Sequence, residues 1–188
     1  MAMTPATDQL LKAAQDAAKQ GKLPPVHLWN PDFCGDLDME IRRDGTWFYE
    51  GTPIGRKPLV RLFSTILKRE GDKYFLVTPV EKVGIRVVDA PFVAVDIEQT
   101  DDGITFTTNV GDTVTAGEGH AIRVERDAGG EPSPYVHIRA GLEALIDRKS
   151  FYRLVDMGEA HDLDGTPMFG VWSRGCFFPI IPMAELEI

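Results

Sequence analysis

Apolar positions along this chain recur with two periods, and the alternation between them sketches the fold. Residues 8–20, DQLLKAAQDAAKQ, are good helix formers with Leu10, Leu11, Ala14, Ala17 and Ala18 on roughly one side, and Gly21 and Pro24-Pro25 are stop signals. A short N-terminal helix is expected, followed by an ordered loop, HLWNPDFCGDLDME. From Met39 the period shortens. Met39–Arg42 reads as a strand, Asp44-Gly45 as a tight turn, and Trp47–Tyr49 as the returning strand of a β-hairpin. Helical spacing returns at Pro58–Arg69, where Leu59, Leu62, Phe63, Ile66 and Leu67 make one apolar face and Gly71 ends it. Lys73–Thr78, Gly84–Val88, Phe92–Glu98 and Ile104–Asn109 then read as strands, the last two joined through Asp101-Asp102-Gly103.

The second half echoes this order. Arg43-Asp44 recurs as Arg126-Asp127, Arg56 as Arg139, Leu59 as Leu142 and Leu62 as Leu145, all 83 positions apart. On this offset Gly141–Arg148 is a shorter second helix. After a register shift, Tyr74, Leu76 and Val77 fall on strand residues Tyr152, Leu154 and Val155, and Phe92 falls on Phe169. The expected fold is α+β: two tandem copies of a hairpin-helix-strands unit behind a short N-terminal helix. The segments would be residues 1–30 (helix and leader), 31–118 (first repeat) and 119–188 (second repeat), with the boundary near Gly117–Gly119. The alternative is two unrelated α+β stretches.

Composition narrows the function classes. With 188 residues, 43% hydrophobic and 26% charged, the chain can bury a core. No run approaches the ~20 apolar residues of a bilayer span, and the richest stretch, Phe177–Met183, is broken by Pro179 and Pro182. The first twenty residues lack the apolar centre of a secretory signal, so the cytoplasm is the expected location. Cys34 and Cys176 stand far apart and form no CxxC, which indicates neither a disulfide framework nor a thiolate zinc site. A net charge of −9 opposes binding of a nucleic-acid polymer. That charge is polarised: Met39–Phe75 holds eight basic residues against five acids, whereas everything from Leu76 onward holds nine against nineteen.

Most catalytic motifs are missing. There is no GxxxxGK[ST], GxSxG or HExxH, and the glycine-rich AGEGH at Ala116–His120 is too short for a dinucleotide turn. His27, His120, His137 and His161 are scattered without metal-ligand spacing. Cys34, Asp36, Asp38 and Glu40 alternate, so an extended chain would put three carboxylates on one face. Such a face could hold a divalent ion or supply an acid and a base, or be solvated. Arg56 and Lys57 sit just before a predicted helix start, where free amides favour an anion, and Arg139 holds the matching place in the second copy. Together they suggest an anion pocket between the copies. Trp47, Tyr49 or Trp172 could stack on a base, and Arg42 belongs to the same basic stretch. The competing reading has Arg56 and Arg139 pairing with Glu50, Asp44 or Asp127 to brace the hairpin.

The stretch Ile41–Ile97, containing DGTWFYEGTPI followed by LVRLF, resembles the uncharacterised bacterial family catalogued as domain of unknown function 1285. LPPVHLWNP at Leu23–Pro31 and HIRAGLEALIDRKSFYRLVDMG at His137–Gly158 are similar to it as well. The resemblance implies a duplicated α+β fold whose C-terminal copy is loosely pleckstrin-homology-like. It also implies a ligand site between the copies for a nucleotide-like molecule and a role in signal transduction. It brings no enzymatic activity, and the sequence names no cofactor. The expected function is therefore non-enzymatic binding of a nucleotide-like or other anionic small molecule by Arg56, Lys57, Arg139, Arg42, Trp47 and Tyr49. The alternatives are a metal-dependent enzyme using Asp36, Asp38 and Glu40, and a protein-interaction module docking a peptide on a strand edge.

Overall fold

The computed structural model describes residues 5–19 and 23–186, and the chain divides into two compact units, Met1–Pro91 and Phe92–Ile188. The fold is α+β in two tandem units with a short N-terminal helix. None of the helices among the described residues is long and apolar enough to cross a membrane.

The first unit opens with α1 (Pro5–Ala18), whose Leu10 and Ala14 are fully buried and which packs on α2. The expected stop at Gly21 lies outside the described residues. Strand β1 (Phe33–Ile41) begins six residues earlier than its apolar pattern suggests. In it Met39 and Ile41 point to the core, while Asp36, Asp38 and Glu40 alternate onto the other face. β2 (Trp47–Tyr49) returns antiparallel, as expected of the hairpin, and β3 (Thr52–Pro53) forms one edge. Next come α2 (Lys57–Ser64), β4 (Leu67–Glu70), β5 (Lys73–Val77) and β6 (Lys82–Val87). The sheet order is β3-β2-β1-β6-β5-β4. All neighbours are antiparallel except the central pair, β1 and β6. Helix α2 connects the two edge strands and buries Phe63, whose ring stacks on Trp47 with centroids 6.3 Å apart.

Helix α2 stops at Ser64 rather than Arg69. The Ser64 and Thr65 hydroxyls each donate 2.6 Å bonds back to the carbonyls of Arg61 and Leu62, closing the last turn. Ile66 and Leu67, which fit a helical face, are instead buried as β4 pairs Leu67 with Leu76. Strand pairing overrides local helical spacing here.

The second unit contains β7 (Phe92–Thr100), β8 (Gly103–Thr108), β9 (Thr113–Thr115), β10 (Ile122–Arg126), β11 (Pro132–Arg139) and β12 (Leu142–Ile146). After these come α3 (Arg148–Asp156) and a three-stranded sheet of β13 (Glu159–Leu163), β14 (Thr166–Ser173) and β15 (Cys176–Pro182). The larger sheet has the order β10-β11-β12-β7-β8-β9, with β7 and β12 as its parallel central pair. That is the strand order of the first sheet, β1–β6 corresponding to β7–β12.

The duplication is real, but its register differs from the one expected. Phe33 corresponds to Phe92, Lys73 to Pro132 and Lys82 to Leu142, a displacement of 59 or 60 positions instead of 83. Gly141–Arg148 is accordingly not a helix. Ala140 and Gly141 both adopt positive φ, 48° and 77°, as a two-residue hairpin turn requires, and Leu142, Ala144 and Ile146 bury alternate positions of β12. Tyr152, Leu154 and Val155, expected in a strand, lie in α3, whose start is set by Asp147 accepting a 2.8 Å bond from the Ser150 amide. The boundary expected near Gly117–Gly119 falls within the second unit, in the connection from β9 to β10, because β7 is hydrogen-bonded to β12.

Candidate functional site

A cleft in the first unit arises where the chain leaves its sheet for α2. Glu50 and Gly51, at φ 47° and 74°, turn β2 into β3, and the Ile54 amide then bonds to the Trp47 carbonyl at 2.8 Å. Ile54 and Gly55 carry the chain off the sheet to Arg56, whose extended backbone precedes α2 and whose carbonyl accepts from the amides of Leu59 and Val60. Pro58 suits the first turn, where its missing N–H has no partner to lose. The resulting cleft of about 320 Å³ is lined by Tyr49, Thr52, Pro53, Ile54, Gly55, Arg56 and Leu59. A second groove of about 400 Å³ shares Gly55, Arg56 and Leu59 with the first and continues over Leu11 and Gln15 of α1 and Lys57, Pro58 and Leu62 of α2.

Arg56 stands at the rim common to both cavities. It is exposed, its side chain does not cap the helix, and no ion pair or side-chain hydrogen bond engages Arg56 or Lys57 among the described residues. Seven of the other eleven arginines, Arg42, Arg43, Arg86, Arg123, Arg139, Arg153 and Arg174, each meet a carboxylate. Among the described residues, no acidic side chain lines either cavity. The bracing of Arg56 by Glu50 or Asp44 is not formed.

The remaining predicted residues scatter. Tyr49 lines the cleft, but it is 1% exposed and its hydroxyl oxygen accepts from Thr7 Oγ1 at 3.3 Å, so its ring offers no free face. Trp47 is equally buried beneath Phe63 and, among the described residues, its Nε1 has no hydrogen-bond partner. Arg42 lies 3.7 Å over the Phe48 ring and pairs with Glu40 at 3.2 Å. Arg139 ends β11 in the second unit, bonded to Asp112 at 2.7 Å with its guanidinium 5.0 Å from the Phe92 ring. It is a bracing residue at a strand end, so the matched pair of helix starts does not exist. Trp172, on β14, packs with His161 and Phe177 at centroid distances of 4.8 and 5.2 Å.

The alternating carboxylates do share one face of β1, but Arg86 occupies them. Its guanidinium bonds Asp38 at 2.8 Å and Glu40 at 3.4 Å, and these partners hold its pKa above the usual arginine value. Asp36 lies over Gly84, where a Cβ would collide with its carboxylate. Among the described residues no three His, Cys, Asp or Glu side chains are placed to hold a metal ion. Two of the four histidines do meet, in the second unit. His120 Nδ1–H donates to the His137 carbonyl. His137 Nδ1–H donates to the Gly119 carbonyl while its Nε2 accepts from the Gly141 amide, each at 3.0 Å. That fully bonded ring ties the β9–β10 connection to the β11–β12 turn.

The sequence singles out Arg56 and Lys57 as anion-holding candidates but not the apolar walls that lie beside them. Their signal was the segment TPIG, a polar-poor stretch between a strand and a basic helix start.

Two family models match the chain: "Domain of unknown function (DUF1285), N-terminal domain" over residues 24–90, and "Protein of unknown function (DUF1285), C-terminal domain" over residues 91–180. They meet one residue from the division between the two compact units. The crystal structure of a DUF1285 family protein from Silicibacter pomeroyi DSS-3 is 62% identical, with a TM-score of 0.85 over 95% of this chain and 98% of that one. A DUF1285 family protein from Shewanella baltica OS155 is 30% identical, with a TM-score of 0.53 over 64% of this chain and 91% of that one. Among curated proteins, none matches.

Proposed function

The chain belongs to the DUF1285 family, described as being of unknown function, and we propose on its own residues that it is a non-enzymatic binding protein for a small anionic molecule. The ligand sits in the cleft of the first unit, with its phosphate or carboxylate on the Arg56 guanidinium and Lys57 alongside. One observation carries the reading: in a chain with 29 acids and 20 bases, Arg56 remains unneutralised at the shared rim of two cavities that have no acidic wall. A planar guanidinium presents two parallel N–H donors that match a carboxylate or phosphate edge. The α2 amides nearby add a weaker favourable field.

Differential scanning fluorimetry and isothermal titration calorimetry against inorganic phosphate, nucleotides, sugar phosphates and organic carboxylates test the proposal. At least one anion raises Tm. Arg56→Ala weakens its binding about 10- to 100-fold, corresponding to about 1.5–3 kcal/mol for a charge-assisted bond, and Arg56→Lys recovers part of the loss. If no anion shifts Tm, or if Arg56→Ala binds as the parent does, the proposal fails.

A further inference from the structure

We infer that the ligand is an acyl-type amphiphile, a free anion carrying an aliphatic chain, rather than a nucleotide; this rests on the reading above and specifies its ligand class. The walls beside Arg56 are Pro53, Ile54 and Leu59, and among the described residues the side-chain hydroxyls in the cleft belong to Thr52 and Tyr49, the latter already bonded to Thr7. A nucleobase needs an aromatic face and hydrogen-bonding partners for its edge. Among the described residues the cleft offers neither: the Trp47 and Tyr49 rings are each 1% exposed, and no Asn, Gln, Asp or Glu lines it. The volume of about 320 Å³ is at the lower end for small-molecule sites. An aliphatic chain needs only apolar contact, and the groove on the other side of Arg56, over Leu11, Pro58 and Leu62, extends that contact beyond the first cavity. The charge pattern fits the same ligand: unpaired cations lie between two apolar surfaces, and no carboxylate is present to repel the head group.

The test is calorimetric titration of the full chain with a series of n-alkanoates from butanoate upward, each kept below its micelle concentration, beside inorganic phosphate and adenosine monophosphate. Affinity rises about fourfold for each added methylene, the fold-change of ~0.8 kcal/mol per buried CH₂, and levels once the chain fills the cleft. Adenosine monophosphate binds no more tightly than phosphate. Leu59→Gln, at a half-buried position, flattens the chain-length dependence, with an unchanged circular dichroism spectrum confirming its fold. Arg56-dependent anion binding that ignores chain length, or adenosine monophosphate binding tenfold tighter than phosphate, overturns the acyl assignment and leaves the anion site standing. If no anion binds at all, the anion site itself falls. Vesicles of dioleoylphosphatidylglycerol do not sediment the protein; Leu59-dependent co-sedimentation would place the acyl chain in a membrane lipid and overturn the free-ligand form.

Discussion

Replacing Ser173 by alanine removes one hydroxyl and leaves two buried backbone groups without partners. Ser173 is 3% exposed at the end of β14. Its Oγ donates to the Ala116 carbonyl at 2.7 Å and accepts from the Ile104 amide at 2.8 Å, so it joins the three-stranded sheet to the β8 and β9 region of the larger one. Alanine fits the space, since only an oxygen is lost; the effect is therefore almost wholly one of hydrogen bonding. An orphaned buried donor or acceptor costs about 1–3 kcal/mol, which puts Ser173→Ala at roughly 2–6 kcal/mol for the pair. With a urea dependence of about 1–3 kcal/mol per molar, the unfolding midpoint of the second unit falls by about 0.7 M or more. Hydrogen exchange gives the direct readout, because the Ile104 amide loses its acceptor and exchanges faster than amides on β7 and β11. Thr113→Ala, at an exposed edge position, serves as the control and stays within about 0.5 kcal/mol. A midpoint shift of less than about 0.3 M in Ser173→Ala, or unchanged protection at Ile104, would refute the claim that this hydroxyl bridges the two sheets.

Two further outcomes are expected. His137→Ala removes a ring bonded to the Gly119 carbonyl and the Gly141 amide and lowers stability by about 1–2 kcal/mol in urea denaturation, whereas His120→Ala, which loses one ring bond, costs about half as much. Three carboxyls are held below their usual values: Glu70 by the Lys82 ammonium, Asp96 by the Arg153 guanidinium, and Asp44 by the Thr46 amide. A depressed folded value stabilises the protein above the unfolded one and is lost as pH falls through the folded one. Tm should therefore hold from neutral pH down to about 5 and decline below about 4. Glu70→Gln should be less acid-sensitive than the parent, and equal acid sensitivity would count against the Lys82 pair.

The hairpin at Met39–Tyr49 was legible because alternation and an Asp-Gly turn agree there, and the strands following Gly71 because β-branched runs lie between turn signals. The helix ending was not, since Ile66 and Leu67 satisfy a helical face as well as a strand pair, and only the partner strand β5 decides between them. The same ambiguity produced the second error. Leu142 and Leu145 have helical spacing, yet Ala140-Gly141 is a hairpin turn whose positive φ values put Leu142 at a strand start. An offset of 83 makes LEALI a copy of α2 and gives Arg139 a helix start, whereas Arg139 ends one strand and Leu142 begins the next.

With the displacement set at 59 or 60, the functional consequence changes. The two units share six strands in one order, but they differ in what joins the third strand to the fourth. In the first unit that connection is Ile54–Ile66 with helix α2; in the second it is the short segment Ala116–Ala121, which carries a Gly117–His120 bridge and no helix. The exposed Arg56, Lys57 and the apolar walls belong to the inserted helix and its approach, so they have no counterpart in the second copy. A site built on a feature that only one copy has cannot depend on the internal symmetry of the duplication. Deleting the cation at residue 56 should therefore weaken anion binding by the same roughly 10- to 100-fold, whereas Arg139→Ala should lower stability through the loss of the Asp112 pair and leave binding intact.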